Sequence, residues 1–327
     1  MNNNYSQLSN EGRLLQEQFV LTRQNIDQLV ARERAAPKIH ISGVGSTIST
    51  AYEQLRNAAE NTEEHLLLQR TIRRFYKRNL SFFDKKISHD NLGEELIIEL
   101  TQSGYLKNNT VPKSYLDEID QIIDHYHNIY WQLHARRVPV EQAGGWILDI
   151  LSVYSEAILN KSEVMQSDVF AEFAYSHYYR KFEKAYQGRS EDYGTTLRIA
   201  LYRALLKSDK ATVRAVLIQR ETHSFADVKK FIDFQKRVDA LYSAKSTERL
   251  VSLINKNGAP LRILRRLMDD SPDVVSRLHE KNAFLNSYQM QTENEYQVVS
   301  KKINRGILKS IAFLFITKVI IGLAVEI

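Results

Sequence analysis

Apolar residues recur three and four positions apart through most of the chain, which is the spacing of amphipathic helices. The clearest segment runs from Val140 to Leu159 and carries Trp146, Ile147, Ile150 and Leu151 at helical spacing. Glycine (12) and proline (5) are scarce, so the pattern indicates long elements joined by few turns. The pattern predicts an all-α fold: a multi-helix bundle or irregular helical array of about twelve helices with a hydrophobic C-terminal helix.

Helix start and stop signals divide this pattern into segments. Pro112 suits a first helical turn, and the run Ser271-Pro272-Asp273 predicts a helix start that could lead on to Lys302. Lys38 to Ser46 is the single short strand-like or loop segment. Helices are predicted over residues 11–34, 50–79, 92–101, 112–134, 140–159, 164–186, 195–206, 210–220, 225–242, 247–255 and 261–268.

The same signals predict the domain organisation. Residues 1–10 are polar and read as a flexible arm, and Gly188 and Gly194 bracket a turn. The predicted parts are an N-terminal and central helical domain over residues 11–188, a C-terminal helical array over 189–302, and a hydrophobic segment over 303–327.

The hydrophobic segment poses the sharpest functional question. A helix from Ile307 to Ile327 would be about 31 Å long, close to the thickness of a bilayer core. Lys318 near its middle costs about 2.5–3.5 kcal/mol of the insertion free energy, which stays favourable by a small margin. The segment is therefore a candidate transmembrane helix, and the alternative is a buried core helix, because the uninterrupted apolar part from Ile311 to Val325 is short for a span.

Charged residues around this segment predict its orientation and its contacts. Four basic residues flank the apolar run on its N-terminal side and would hold the rest of the chain in the cytoplasm: Lys301, Lys302, Arg305 and Lys309. Lys318, Gly322 and Glu326 follow one another at four-residue spacing, so a spanning helix would turn this face toward another protein segment. The absence of a polar flank after Ile327 suggests either a tail anchor or a fragment of a longer membrane protein.

Net charge is concentrated in one helix. The chain carries +6 overall, and the stretch from Arg70 to Lys86 alone holds seven basic residues and one acidic residue. The candidate anionic-surface residues are Arg70, Arg73, Arg74, Lys77, Arg78, Lys85 and Lys86. They could meet a lipid surface or nucleic-acid phosphates, or could pair with the acidic stretch from Asp90 to Asp124 within the chain.

Two other patterns predict little chemistry. Asp120, Asp124, His127, Trp131 and His134 fall on one helical stripe, but a helical di-iron site needs two Glu-x-x-His pairs. A polar helix face, or hydrogen-bonded histidines beside aromatic rings, is therefore expected. The glycine loop around residues 43–47 lacks the lysine of a phosphate-binding P-loop and is expected to be an entry loop.

These patterns favour a non-catalytic function. The absence of cysteine excludes disulfides, thiolate metal sites and a cysteine nucleophile, and no other catalytic signature, metal, cofactor or small-molecule substrate is inferred. We expect a cytoplasmic helical interaction domain of a membrane-anchored protein, with membrane lipid and an unidentified protein as partners. The alternative is a soluble, cytoplasmic helical module that binds nucleic acid through residues 70–86, and a third reading is a helical enzyme using Asp124 and His127.

Overall fold

The computed structural model describes residues 8–42, 66–80, 91–221, 227–297 and 300–301. This part of the chain is helical, with connecting turns and an isolated antiparallel bridge between Lys38 and Pro112. The prediction of an all-α, multi-helix fold is therefore confirmed.

The helices begin and end close to the predicted positions, because apolar periodicity and turn residues agree along most of the chain. They are α1 (Asn10–Ala35), α2 (Leu67–Asn79), α3 (Leu92–Gln102), α4 (Ser114–Ala135), α5 (Val140–Leu159), α6 (Lys161–Glu183), α7 (Tyr193–Ala204), α8 (Lys210–Glu221), α9 (Val228–Tyr242), α10 (Lys245–Asn257), α11 (Ala259–Asp270), α12 (Pro272–Ser276) and α13 (residues 281–297). A short 3₁₀ turn, Ser190–Asp192, precedes α7.

The chain divides into two compact units, Gln18–Gly258 and Met1–Glu17 with Ala259–Ile327. Helices on both sides of residue 188 belong to the first of these units. The division into separate domains over residues 11–188 and 189–302 stays a prediction.

Helix α5 is the centre of the unit Gln18–Gly258. It packs against α2, α4 and α8 and adjoins α6. Its residues Ile147, Ile150 and Leu151 have no exposed surface, because α5 is surrounded by other helices along most of its length. Burial of each such side chain contributes about 1.5–3 kcal/mol relative to exposure.

Helices α7 to α10 form the other half of this unit. Helices α7 and α10 pack against each other, and Leu197 of α7 and Leu250 and Ile254 of α10 are fully buried. The hydroxyl group of Tyr178 on α6 donates a hydrogen bond to the Asn257 carbonyl at 3.0 Å, which ties α6 to the end of α10.

The expected strand-like segment is an extended strip in its described part. The Ile39 amide donates to the Val111 carbonyl and the Lys113 amide donates to the Pro37 carbonyl, both at 2.9 Å. This strip connects the end of α1 to the start of α4, and residues 43–47 of the predicted glycine loop lie outside the described residues.

The helix that begins at Pro272 is shorter than predicted. α12 ends at Ser276, Arg277 leaves the helical conformation with φ −123° and ψ 43°, and α13 starts at residue 281. The prediction of one helix to Lys302 was therefore wrong. Neither Gly nor Pro marks the break, whereas Val275 and Leu278 are both buried, which indicates that packing sets the break.

No helix within the described ranges combines the length and the apolar character needed to cross a membrane. The hydrophobic C-terminal segment from Ile307 to Ile327 lies outside these ranges, so its prediction is neither supported nor excluded by this finding.

Candidate functional site

The basic face of α2 is divided between the surface and the protein interior. Arg70 and Lys77 are exposed, whereas Arg73 forms an ion pair with Asp149 of α5 at 3.0 Å. Arg78 pairs with Glu99 of α3, one of the acidic residues that the sequence offered as an internal partner. Part of the positive charge of α2 therefore serves packing within the unit.

The other residues predicted to bind an anionic surface or to belong to the membrane segment and its flank are located as follows. Arg74 is half-buried and donates a hydrogen bond to the Thr71 hydroxyl at 2.9 Å, and Lys301 is exposed. The others lie outside the described residues: Lys85, Lys86, Lys302, Arg305, Lys309, Lys318, Gly322 and Glu326.

Most residues of the predicted stripe on α4 contact other side chains or backbone groups of the folded chain. The Asp120 carboxylate accepts the Gly93 amide at 2.9 Å and so caps the start of α3. The His127 Nε2 atom accepts a hydrogen bond from the Trp131 indole at 3.0 Å, and His134 contacts the Trp131 ring. His127 is hydrogen-bonded beside an aromatic ring and His134 lies edge-on to the same ring, which agrees with the second of the two expected arrangements.

A buried polar network that the sequence did not reveal joins α5, α8 and α9. Arg214 is only 2% exposed, and its guanidinium contacts Asp149 at 3.2 Å and Asp239 at 2.6 Å and donates to Gln235. Asp239 also accepts hydrogen bonds from Lys210 at 2.7 Å and from the Trp146 indole at 2.9 Å. Each charged group has a partner of opposite charge, so the network joins the three helices and does not leave a free charge for a ligand.

The unit Gln18–Gly258 contains a groove of about 1190 Å³. Its longest wall is α4, which contributes residues 118, 121, 122, 125, 126 and 129. The opposite wall is the first part of α6, which contributes residues 161, 164, 165 and 168. The spacings of three and four residues mean that each helix turns one continuous face to the groove.

The remaining lining comes from three helices. The C-terminal turns of α5 supply Tyr154, Ala157 and Ile158. Helix α1 contributes Asn25 and Leu29, and α8 contributes Ile218 and Gln219.

The interior of the groove is predominantly apolar. Ile122, Ile158, Val164 and Met165 are half-buried, so they retain surface that faces the cavity. A contiguous set of partly exposed apolar side chains in a concave site is typical of a binding surface rather than of a solvated helix face.

Two tyrosines add a neutral polar element to this interior. The rings of Tyr126 and Tyr154 meet edge to face with centroids 5.7 Å apart, and the Tyr154 hydroxyl donates to the Ala215 carbonyl at 3.3 Å. Burial raises the pKa of both phenols, so they stay protonated at neutral pH and place no charge inside the groove.

Charged groups also line the groove. Lys161 forms an ion pair with Glu118 at 2.7 Å and lies over the Tyr115 ring. Asp168 is 3.9 Å from Arg220. Burial raises the pKa of Asp168 although Arg220 partly opposes this effect. The lining therefore combines apolar, polar and charged groups, which suits an amphipathic ligand.

The sequence contained a weak signal for this groove. One face of α6 mixes charged and apolar residues, a composition that fits neither a solvated helix face nor a buried core face. Its residues are Lys161, Val164, Met165 and Asp168. The predicted function depended on the tail, which lies outside the described residues, and on the basic helix, whose described residues are not part of the groove lining.

Comparisons with known proteins give no relative: the chain matches no protein family model, and neither curated proteins nor solved structures show a significant match. The groove and the charged surfaces are consequently the basis for any functional conclusion.

Proposed function

We propose that the protein is a non-catalytic helical interaction protein, that the groove between α4 and α6 is its docking surface, and that its C-terminal segment holds it at a membrane. The groove carries the first part of this proposal, because its apolar walls are partly exposed within the described chain. An apolar groove bordered by helices is a common docking surface for protein segments.

The docking function is tested with a library of helical peptides selected for binding to the full chain. Val164→Lys places a charge on the apolar wall of the groove, and its half-buried position lets the long side chain reach solvent. We expect selected peptides to bind the wild-type chain and to lose at least about ten-fold in affinity for this variant, roughly 1.4 kcal/mol.

The matched control is Val140→Lys. Val140 is 38% exposed at the start of α5 and lies outside the groove lining, so the same substitution should leave peptide binding unchanged. Equal affinity of the selected peptides for wild type and Val164→Lys, or failure to recover any peptide, would refute the docking function.

The membrane part of the proposal concerns residues outside the described ranges. It is supported by the apolar composition from Ile307 to Ile327 and by the basic flank that precedes it. We expect the full chain to partition into liposomes of uncharged lipid and a chain ending at residue 305 to stay in the aqueous phase. Full solubility of both chains without detergent would contradict membrane attachment.

The basic helix gives a second lipid contact in this proposal. Arg70, Lys77 and Arg78 are the exposed members of the predicted set within the described part of α2. Arg70→Glu with Lys77→Glu should weaken binding to anionic vesicles by about 2 kcal/mol or more, at roughly 1 kcal/mol for each lost basic residue. Arg78 is left in place because its substitution would also break the ion pair with Glu99. Unchanged vesicle affinity of the double variant would remove α2 from the membrane contact.

A further inference from the structure

The last turns of α6 carry a basic face. Lys184 follows Arg180 by four residues and Lys181 by three, so the three side chains share one side of the helix, and all are exposed. Glu183 is the acidic residue in these turns. Burial and the nearby Glu183 carboxylate raise the pKa of Tyr193, which places Glu183 on the side of α6 that faces α7. The basic face is therefore not neutralised by an acid of its own helix.

Helix α10 carries a second basic stripe. Lys245, Arg249 and Lys256 follow one another at intervals of four and seven residues, so they lie on one side of the helix, and all are exposed. The stripe is about 16 Å long, at 1.5 Å per residue. Glu248, the acidic residue of α10, is turned toward α7, where it pairs with Arg203 at 2.7 Å. The stripe itself therefore presents positive charge.

The two basic regions adjoin at the C-terminal ends of their helices. The Lys181 ammonium group lies 5.5 Å from the centre of the Tyr178 ring, and the Tyr178 hydroxyl donates to the Asn257 carbonyl at 3.0 Å. Lys256 directly precedes Asn257. The α6–α10 basic surface is made of these six residues: Arg180, Lys181, Lys184, Lys245, Arg249 and Lys256.

The charges of the α6–α10 basic surface are not compensated within the described chain. None of its six side chains has an ion-pair partner among the residues that the structure describes. Helix α2 differs, because Arg73 pairs with Asp149 and Arg78 pairs with Glu99. Unpaired cations contribute their full charge to the surrounding field, so the α6–α10 basic surface should attract anions more strongly than the described part of α2.

The position of these charges favours an anionic bilayer over nucleic acid. Four of the six residues lie in or beside the last turns of their helices, where backbone carbonyl groups point outwards. Nucleic-acid phosphates are commonly bound by backbone amides at helix N-termini. A surface that acts through side-chain charge suits the diffuse charge of a membrane. Tyr179 is 37% exposed beside Arg180, and tyrosine is enriched at bilayer interfaces.

We infer that the α6–α10 basic surface binds an anionic lipid surface and so determines how the unit Gln18–Gly258 lies against the membrane. This inference rests on the proposed membrane attachment and adds lipid charge as a second determinant of it. Insertion of the apolar tail does not require lipid charge, whereas each basic residue at an anionic surface contributes about five-fold in affinity.

Vesicle binding of the full chain separates these two contributions. Co-sedimentation is measured with phosphatidylcholine vesicles and with vesicles that also contain phosphatidylserine. Arg180→Gln with Lys184→Gln changes the α6 part of the surface, and Arg249→Gln with Lys256→Gln changes the α10 part, at exposed sites where glutamine maintains the helix. Each double variant should lose about twenty-fold or more in affinity for the anionic vesicles at low salt, lose less at high salt, and keep its affinity for the uncharged vesicles.

The matched control is Lys107→Gln with Lys113→Gln, which also removes two exposed lysines. Lys113 precedes α4, whose Glu118 pairs with Lys161 at the start of α6. The length of α6 from there to Lys184 is about 34 Å, at 1.5 Å per residue. The control should therefore change the affinity for anionic vesicles by less than about three-fold, because the distance exceeds the screening length.

The outcomes separate this inference from attachment by the tail. Unchanged affinity of both double variants for anionic vesicles, or an equal loss in the control, would overturn the inference, and binding to uncharged vesicles would still support the tail. Loss of anionic binding in the double variants, without any binding to uncharged vesicles, would support the inference and contradict the tail. Labelled duplex DNA and single-stranded RNA are the competing probes. Binding of either that the double variants abolish, with vesicle affinity unchanged, would assign the surface to nucleic acid and overturn the inference.

Discussion

The buried network around Arg214 gives a prediction whose magnitude follows from its contacts. Asp239→Asn removes the negative charge that faces Arg214 at 2.6 Å and Lys210 at 2.7 Å. Burial tends to raise the pKa of Asp239, but Lys210, Arg214 and Trp146 outweigh this effect, so the pKa is lowered and the carboxylate is ionised at neutral pH. The substitution therefore removes a negative charge that compensates Arg214 and Lys210 in the folded unit.

The expected loss is intermediate between that of a surface pair and that of a fully buried pair. Removing one partner of a buried pair costs about 3–5 kcal/mol, whereas a surface pair contributes about 0–1 kcal/mol. Arg214 is 2% exposed, but Asp239 is 27% exposed and Arg214 keeps its contact with Asp149. We therefore expect the free energy of unfolding to fall by about 2–3 kcal/mol, scaled from these two limits.

Equilibrium unfolding in urea measures this loss. Trp131 and Trp146 are the two tryptophans of the chain and both lie in the unit Gln18–Gly258, so tryptophan fluorescence reports on that unit. Circular dichroism should be followed in parallel, because Trp146 itself contacts Asp239.

The matched control is Glu191→Gln, which removes the partner of Arg189 in a pair whose side chains are 73% and 82% exposed. Its expected loss is about 1 kcal/mol or less. A loss below about 1 kcal/mol for Asp239→Asn, equal to that of the control, would refute the reasoning that burial makes the network important for stability.

Two further predictions concern other features of the same unit. Burial, with Glu163 and Asp209 nearby, raises the pKa of Glu156 to about 8 in the folded chain, so folding favours the protonated form and the free energy of unfolding should decrease as pH rises from about 5 to 8. Glu156→Gln should remove this decrease and stabilise the unit at about pH 8 by roughly 1–3 kcal/mol in urea unfolding, and an unchanged pH profile would exclude a buried Glu156. Gly93→Ala should destabilise by about 1 kcal/mol, because its Cβ would lie 2.7 Å from the Asp120 carboxylate that caps α3. Gly145→Ala meets nothing within 4 Å and should stabilise α5 by about 0.5–1 kcal/mol in thermal unfolding, so equal signs for the two variants would contradict this account of the cap.

Helix positions could be predicted from the sequence because local signals coincided with packing. Val140 to Leu159 combines an apolar period with Pro139 before it, and α5 has these limits. The break after Ser276 could not be predicted, because it depends on the burial of Val275 and Leu278 rather than on a turn residue.

Side-chain partners were harder to predict than helices. Arg214 lies among Ala211, Leu217 and Ile218 on an apolar face of α8, which marks it as unusual, but its carboxylate partners are 25 and 65 residues away in the sequence. The groove is a further example, since it requires α4 and α6 to be placed side by side. Composition and periodicity describe each helix and do not specify such pairings.

Methyl NMR of methionine gives the most direct test of the central claim that the groove is the docking surface. The chain has four methionines. Met165 lines the groove, Met268 is fully buried and Met290 is 65% exposed outside the groove lining. The full chain is labelled at its methionine methyl groups and titrated with a helical peptide selected for binding to it. We expect the Met165 signal to shift in proportion to binding while the Met268 and Met290 signals stay in place. Peptide binding that leaves Met165 unchanged, or that shifts Met290 instead, would contradict the claim.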